Sequence, residues 1–192
     1  MAGNIWCVAS NYLAHAKQFN ASLERHPIIF LKSGNCYVPS GQVVPLPSFS
    51  FQIQYELELA LLLDGNLNIS HMTAALDLTA RDMLESSKAK GLPWTLPKSF
   101  KYSCPIGSWE PMDNVERVHI ALHVNNTSRQ EGFCKDMIFL PEELRSYLLQ
   151  HFPVAPGDII LTGSLGGASD ISSKDLAEVF LNHERKGKWL LQ

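Results

Sequence analysis

Long apolar runs and basic runs are both missing from this sequence of 192 residues. No apolar stretch approaches the roughly 20 residues that a membrane-spanning helix needs. The N-terminal residues, 1–6, have no charged segment followed by an apolar one, so no signal peptide is expected. The formal net charge is −3, with 16 Lys and Arg against 19 Asp and Glu. We therefore expect neither a membrane partner nor a nucleic-acid partner.

Cysteine is scarce, and its positions are scattered. Cys7, Cys36, Cys104 and Cys134 are far apart in the chain, and no C-x-x-C motif occurs. This spacing does not suggest the disulfide framework of a small secreted domain. We expect reduced thiols and a cytoplasmic location.

Hydrophobic residues make up 45% of the chain and charged residues 18%, which is an ordinary globular balance. The length predicts a single domain over residues 1–192. Short apolar or alternating runs outnumber helical patterns, so we predict a β-rich α+β fold. The predicted strands are 5–9, 27–32, 55–63 and 118–124, and residues 156–163 are predicted to form a turn, a strand and a second turn. The predicted helices are 13–19, 82–90 and 141–149, and 91–100 is predicted to be a loop.

Two glutamates occupy alternate positions of the predicted strand 55–63. Because side chains alternate along a strand, Glu56 and Glu58 should share one face, with Leu57 and Leu59 on the other. Two like charges side by side repel each other, and a divalent cation held by their oxygens would remove that cost. Asp77 could supply a third ligand. The alternative is a solvated strand face with no metal.

The histidines indicate a functional site less clearly than the two glutamates do. His15 lies near the start of the predicted helix 13–19, where a structural role is the usual one. His119 and His123 share a face of the predicted strand 118–124 and could bind a metal, although an outer polar face is the preferred interpretation. Lys32, taken alone, marks the end of a strand as it leaves the core.

Seven motifs, in order along the chain, resemble the fumarylacetoacetate hydrolase family, and most closely its small acylpyruvate hydrolase and oxaloacetate decarboxylase branch. Each motif is weak alone, but their shared order covers most of the sequence. The motifs are Asn11-Tyr12 with His15, Phe30-Leu31-Lys32, Tyr55-Glu56-Leu57-Glu58, Asp77 to Asp82, the loop that ends in Lys98-Ser99-Phe100, Arg129-Gln130-Glu131-Gly132 with Met137-Ile138-Phe139, and Pro156-Gly157-Asp158 to Gly163.

The resemblance implies a mixed β-sheet roll, a homodimer and one Mg²⁺ or Mn²⁺ held by Glu56, Glu58 and Asp77. It also implies a 2-oxo acid substrate whose oxygens chelate the metal, which then acts as a Lewis acid. It implies two catalytic residues: Lys98 would stabilise an enolate, and His15 would activate water. It also implies that the substrate is bound by Lys32, Arg81 and Thr162.

The sequence departs from the family at the position three residues after the histidine, where Gln18 replaces a glutamate. A glutamine can orient an imidazole but adds no charge, so water activation is the step affected. Leu84 also replaces a frequent glutamine, and the stretch between Asp64 and Asp77 is shorter than the family's by roughly two or three helical turns.

Three functions therefore stay open. The motifs as a set favour a metal-dependent hydrolase of 2,4-dioxo acids, or a decarboxylase of oxaloacetate. Gln18 favours an oxaloacetate keto–enol tautomerase, because that reaction needs no activated water. All three departures together favour a non-catalytic protein that binds 2-oxo acids.

Overall fold

The computed structural model describes residues 3–12 and 25–192. Strands dominate these ranges, and helices α1 (Arg81–Lys90), α2 (Thr95–Lys98) and α3 (Pro141–His151) are few. The strands are β1 (Ile5–Ala9), β2 (Ile28–Lys32), β3 (Tyr37–Pro39), β4 (Val43–Val44), β5 (Ile53–Tyr55), β6 (Leu57–Leu63), β7 (Ile69–Leu76), β8 (Thr79–Ala80), β9 (Cys104–Ile106), β10 (Glu110–Pro111), β11 (His119–Val124), β12 (Thr127–Phe133), β13 (Ile159–Ser164), β14 (Ser169–Asp170), β15 (Leu176–Leu181) and β16 (Glu184–Leu191).

Three sheets form the fold. The largest has eight strands in the order β2-β1-β13-β6-β7-β9-β3, with β10 paired to β7. The second runs β12-β11-β15-β16-β4, and the third runs β14-β5-β8. Parallel pairs, such as β1 with β13 and β3 with β9, occur among antiparallel ones. These mixed sheets and few helices confirm the predicted β-rich α+β class.

The hydrophobic core lies between the two larger sheets, where β11 packs against β6 and β15 against β7. The predicted alternation holds here, because Leu57, Leu59 and Leu61 are fully buried in this core. All four cysteines are buried free thiols, which agrees with the expectation of reduced cysteine. In the described part of the chain, no helix is both long and apolar enough to cross a membrane.

Most of the predicted elements are present, and two predictions need correction. The strand predicted over 55–63 is interrupted at Glu56, because β5 joins the three-stranded sheet while β6 joins the eight-stranded one. The predicted loop 91–100 contains the short helix α2. The helix predicted over 13–19 lies outside the described residues.

The segment that follows β6 is a tight turn. The Asp64 carboxylate accepts hydrogen bonds from the backbone N–H groups of Asn66 (2.8 Å) and Asn68 (2.9 Å). An aspartate that bonds its own turn in this way reverses the chain within a few residues. β6 therefore leads directly into its antiparallel neighbour β7, which carries the chain back to Asp77.

Candidate metal centre

Three carboxylates meet at one end of the β6–β7 pair. Glu56 lies between β5 and β6, Glu58 is the second residue of β6, and Asp77 follows the last residue of β7. The Asp77 backbone N–H donates to the Glu56 carbonyl oxygen (2.8 Å), so the hairpin itself brings the acids together. One oxygen from each carboxylate lies within 4.8 Å of the other two. All three side chains are buried, which excludes the solvated strand face.

Neighbouring donors fix the orientation of the two glutamates. The Gly163 N–H donates to Glu58 Oε2 (2.7 Å), and the Thr79 hydroxyl donates to Glu56 Oε1 (3.2 Å). Gly163 sits in a bulge of β13 with φ of +96°, and a Cβ there would lie 2.6 Å from Asn11 Cβ. Only glycine fits this position without strain. The bulge therefore supplies a backbone donor to one metal-ligand candidate.

Lys98 is in direct contact with the carboxylates. Its Nζ lies 2.6 Å from Asp77 Oδ2, 3.2 Å from Glu56 Oε1 and 2.7 Å from Thr79 Oγ1. Burial tends to lower the pKa of Lys98, but the charges of Asp77 and Glu56 raise it above its ordinary value. The ammonium is therefore held in its protonated form beside the candidate metal ligands.

Lys32 is fully buried on another side of Asp77. Its Nζ lies 2.7 Å from Asp77 Oδ1 and donates to the Leu78 carbonyl (3.1 Å), to the Ser103 carbonyl (3.1 Å) and hydroxyl (3.0 Å), and to the Lys98 carbonyl. Protein oxygens thus surround the ammonium. The substrate-binding role of Lys32 stays a prediction, but these contacts favour a role in holding Asp77.

The pKa values of Asp77 and Glu58 are shifted in opposite directions. Burial alone would raise the pKa of Asp77, but Lys32 and Lys98 hold it below its ordinary value. Burial, reinforced by the charges of Asp77 and Glu56, raises the pKa of the Glu58 carboxyl well above 4.5. Three acids and two ammonium groups leave one carboxylate in excess. A hard divalent cation with oxygen ligands fits this donor set and this charge.

Two further predicted site residues lie near the carboxylates. Arg81 is close to Asp77 in the chain, and Thr162 lies in β13, which pairs with β6. Arg81 is the first residue of α1, and its Nε contacts Glu85 Oε1 (3.0 Å) one turn along the helix. Thr162 precedes Gly163, and its hydroxyl donates to the Leu59 carbonyl (3.1 Å). Both substrate-binding roles stay predictions, and His15 lies outside the described residues.

His119 and His123 of β11, for which metal binding was the less favoured interpretation, are not part of the centre. Among residues 3–12 and 25–192, Glu56, Glu58 and Asp77 form the one group of three or more possible metal ligands. The His119 ring lies 5.0 Å from that of Phe133, and the His123 ring lies 4.7 Å from that of Phe180.

Asn11 belongs to the first family motif, but the sequence alone predicts no role for it. Its side chain donates to the Thr162 carbonyl (2.7 Å) and the Phe139 carbonyl (3.0 Å), and it accepts from the Phe139 N–H (2.7 Å). This buried amide ties the segment after β1 to the bulge of β13 and to the Met137-Ile138-Phe139 motif. The sequence signal for this role is the presence of an asparagine in the first family motif.

We expect metal binding to release protons, because the raised pKa of Glu58 makes protons compete with the ion. Mn²⁺ affinity should fall as the pH drops from that raised pKa toward 4.5. The free energy of unfolding of the metal-free protein has the opposite trend. It should fall as the pH rises through the same window, because the folded state binds more protons there than the unfolded state does. Titration calorimetry of Mn²⁺ in buffers of different ionisation enthalpy measures the release. Heats that do not depend on the buffer across this window would contradict the prediction.

Known proteins resemble this chain along most of its length. The profile of the fumarylacetoacetate (FAA) hydrolase C-terminal family matches residues 4–188. The chain is 36% identical to the bovine protein named oxaloacetate tautomerase FAHD1, mitochondrial, over 90% of this chain and 84% of that protein.

Two solved structures share the fold. A fumarylacetoacetate hydrolase family protein from Yersinia pestis superposes with a TM-score of 0.94 at 29% identity, covering 100% of this chain and 94% of that one. Fumarylpyruvate hydrolase from Pseudomonas aeruginosa, solved with Mn²⁺ and pyruvate, gives a TM-score of 0.88 at 26% identity, covering 98% and 90%. Together with the three buried carboxylates, the profile match and the bovine relative show that this chain belongs to the fumarylacetoacetate hydrolase family.

Proposed function

We propose that this protein is a divalent-metal-dependent enzyme that interconverts the keto and enol forms of oxaloacetate. The observation that carries the proposal is the buried group Glu56, Glu58 and Asp77 with the Lys98 ammonium against it. The name of the bovine relative supports the substrate and the reaction. The Mn²⁺ and pyruvate in the Pseudomonas structure support a metal and a 2-oxo acid in a protein of this fold.

The residues present suit this chemistry. A bound Mg²⁺ or Mn²⁺ would polarise the 2-oxo group as a Lewis acid. Lys98, which the charges of its carboxylate neighbours keep protonated, would stabilise the negative charge of an enolate. Arg81, at the start of α1, has the planar donor fork that matches a substrate carboxylate. Tautomerisation moves a proton between C3 and the oxygen on C2 without attack by water, so it does not depend on a histidine–glutamate pair that activates water.

The second candidate is a hydrolase of acylpyruvates, or a decarboxylase of oxaloacetate. The name of the Pseudomonas protein, fumarylpyruvate hydrolase, favours hydrolysis. C–C bond hydrolysis requires a base that activates water, and the family resemblance assigns that role to His15. Gln18, an uncharged residue at the position where the family has a glutamate, is the reason that this candidate stands second.

The deciding assay follows the enol absorbance of oxaloacetate and pyruvate formation together, with Mg²⁺ or Mn²⁺ present. Loss of enol without additional pyruvate is the expected result. Pyruvate that forms faster than in a metal-only control would favour decarboxylation, and turnover of acylpyruvates would favour hydrolysis. If no reaction is accelerated, the non-catalytic 2-oxo acid binder replaces both candidates.

Exchanging Gln18 for glutamate separates the first two candidates. A carboxylate beside the proposed base would raise its basicity, as partners of catalytic histidines do. We expect C–C cleavage of acetylpyruvate to increase about 10- to 100-fold, a part of the roughly 100- to 10,000-fold that general acid–base catalysis contributes, with tautomerisation unchanged. Gln18→Asn is the neutral control. Equal cleavage by all three proteins would show that the missing charge does not limit hydrolysis.

We also propose a homodimer and a cytoplasmic location. The homodimer follows from the family resemblance, and Leu31, Leu92 and Leu96 offer exposed apolar side chains for contact. Sedimentation should give twice the chain mass of 21.4 kDa. The bovine relative carries "mitochondrial" in its name, so fractionation of cells that express the tagged full-length protein should compare these two compartments.

A further inference from the structure

Gln130 is a buried residue on an otherwise exposed edge strand. It lies in β12, the outer strand of the five-stranded sheet, where most side chains are exposed. Its own side chain is only 3% exposed and points inward. A buried amide has two donors and one acceptor oxygen that need partners. Its partners show what this side chain connects.

One end of the amide holds the strand that carries the glutamates. Gln130 Oε1 accepts from the Leu57 backbone N–H (2.9 Å). Leu57 directly follows Glu56 and precedes Glu58, at the point where the chain passes from the three-stranded to the eight-stranded sheet. This bond therefore fixes the peptide between the two metal-ligand candidates.

The other end holds the segment that follows the β13 bulge. Gln130 Nε2 donates to the carbonyls of Leu165 (3.0 Å) and Gly166 (3.2 Å). Two residues earlier, the Gly163 N–H donates to Glu58. Gly132 lets β12 pack closely against Leu165, because a Cβ at position 132 would lie 3.2 Å from Leu165 Cδ2. A single side chain thus spans both segments that orient Glu58.

We propose that Gln130 is a positioning residue of the metal centre, which keeps Glu56 and Glu58 in the arrangement that binds the divalent ion. The proposal rests on the metal dependence of the proposed function. Groups that orient metal ligands typically change metal affinity 10- to 100-fold when they are removed. A purely structural role would lower stability and leave the affinity unchanged.

The test compares Gln130→Met with Gln52→Met by Mn²⁺ titration and by thermal unfolding. Gln52, the residue before β5, is the matched control, because its amide donates to Asp170 near the surface (3.1 Å). We expect Gln130→Met to weaken Mn²⁺ binding about 10- to 100-fold and Gln52→Met to change it less than about twofold. Saturating Mn²⁺ should restore turnover in Gln130→Met.

Gln130→Glu keeps the test decisive if the methionine variant does not fold. It retains an acceptor for the Leu57 N–H but cannot donate to Leu165 and Gly166, and its added negative charge would by itself attract cations. Weaker Mn²⁺ binding in this variant therefore supports positioning. Wild-type affinity in the folded Gln130 variants would overturn the inference. Failure of the unmodified protein to bind Mn²⁺ would instead overturn the proposed function, and this inference with it.

Discussion

Replacing Glu58 by glutamine is expected to stabilise the metal-free protein while it strongly weakens the binding of divalent ions. Glu58 is 1% exposed, and burial with two acidic neighbours raises its pKa. A neutral amide of the same shape removes this repulsion, and its oxygen can still accept the Gly163 N–H. Each unit of displaced pKa corresponds to ~1.4 kcal/mol, and each kcal/mol shifts the melting temperature of a domain of this size by about 2–4 °C.

The loss of metal affinity should be far larger than this gain in stability. An amide oxygen carries no full charge, and the centre would lose the carboxylate that exceeds its two ammonium groups. We expect Mn²⁺ binding to weaken on the order of 1000-fold, because the number of charged ligands tunes affinity for hard cations over several orders of magnitude, with a matching loss of turnover at low Mn²⁺. Titration and thermal unfolding at pH 7 measure the two effects in one preparation.

Glu142→Gln is the matched control, because Glu142 forms an exposed ion pair with Arg145 on α3. Surface pairs of this kind contribute about 0–1 kcal/mol, so neither the Mn²⁺ affinity nor the melting temperature should change much. A Glu58→Gln protein that binds Mn²⁺ like the unmodified protein would remove Glu58 from the metal centre. One that melts well below it would contradict the electrostatic argument.

Local sequence rules predicted the central part of the site because it depends on strand geometry. Alternation placed Leu57 and Leu59 in the core and Glu56 and Glu58 in one cluster. The interruption at Glu56 could not be predicted, because it arises where β5 pairs with β8 and β14, which come from distant parts of the chain. Strand pairing of this kind leaves no periodic signal in the sequence.

Lys32 shows the same limit at the level of one side chain. In the sequence it stands at the end of a strand, where an exposed lysine is the ordinary expectation. In the structure its ammonium is buried against Asp77 and Ser103, which lie far along the chain. A buried cation requires such partners, and only the fold brings them together.

Replacing Lys98 by methionine should separate turnover from metal binding in the direction opposite to Glu58→Gln. The Lys98 ammonium lies 2.6 Å from Asp77 Oδ2 and 3.2 Å from Glu56 Oε1, so it repels any cation that these oxygens bind. Without it, Mn²⁺ affinity should stay the same or rise. Turnover should fall about 100- to 1000-fold, the usual cost of removing a group that stabilises developing negative charge.

Lys101→Met is the control for this variant, because Lys101 is an exposed lysine three residues further along the chain. The decisive measurement is the turnover number of each protein for oxaloacetate at saturating Mn²⁺, beside the Mn²⁺ affinity from titration. If Lys98 acts on the reaction, saturating Mn²⁺ will not restore the turnover of Lys98→Met. Saturating Mn²⁺ would restore turnover in a variant whose only defect is weaker metal binding. Recovery of Lys98→Met at high Mn²⁺ would therefore assign the lysine to the metal centre and leave enolate stabilisation to another group.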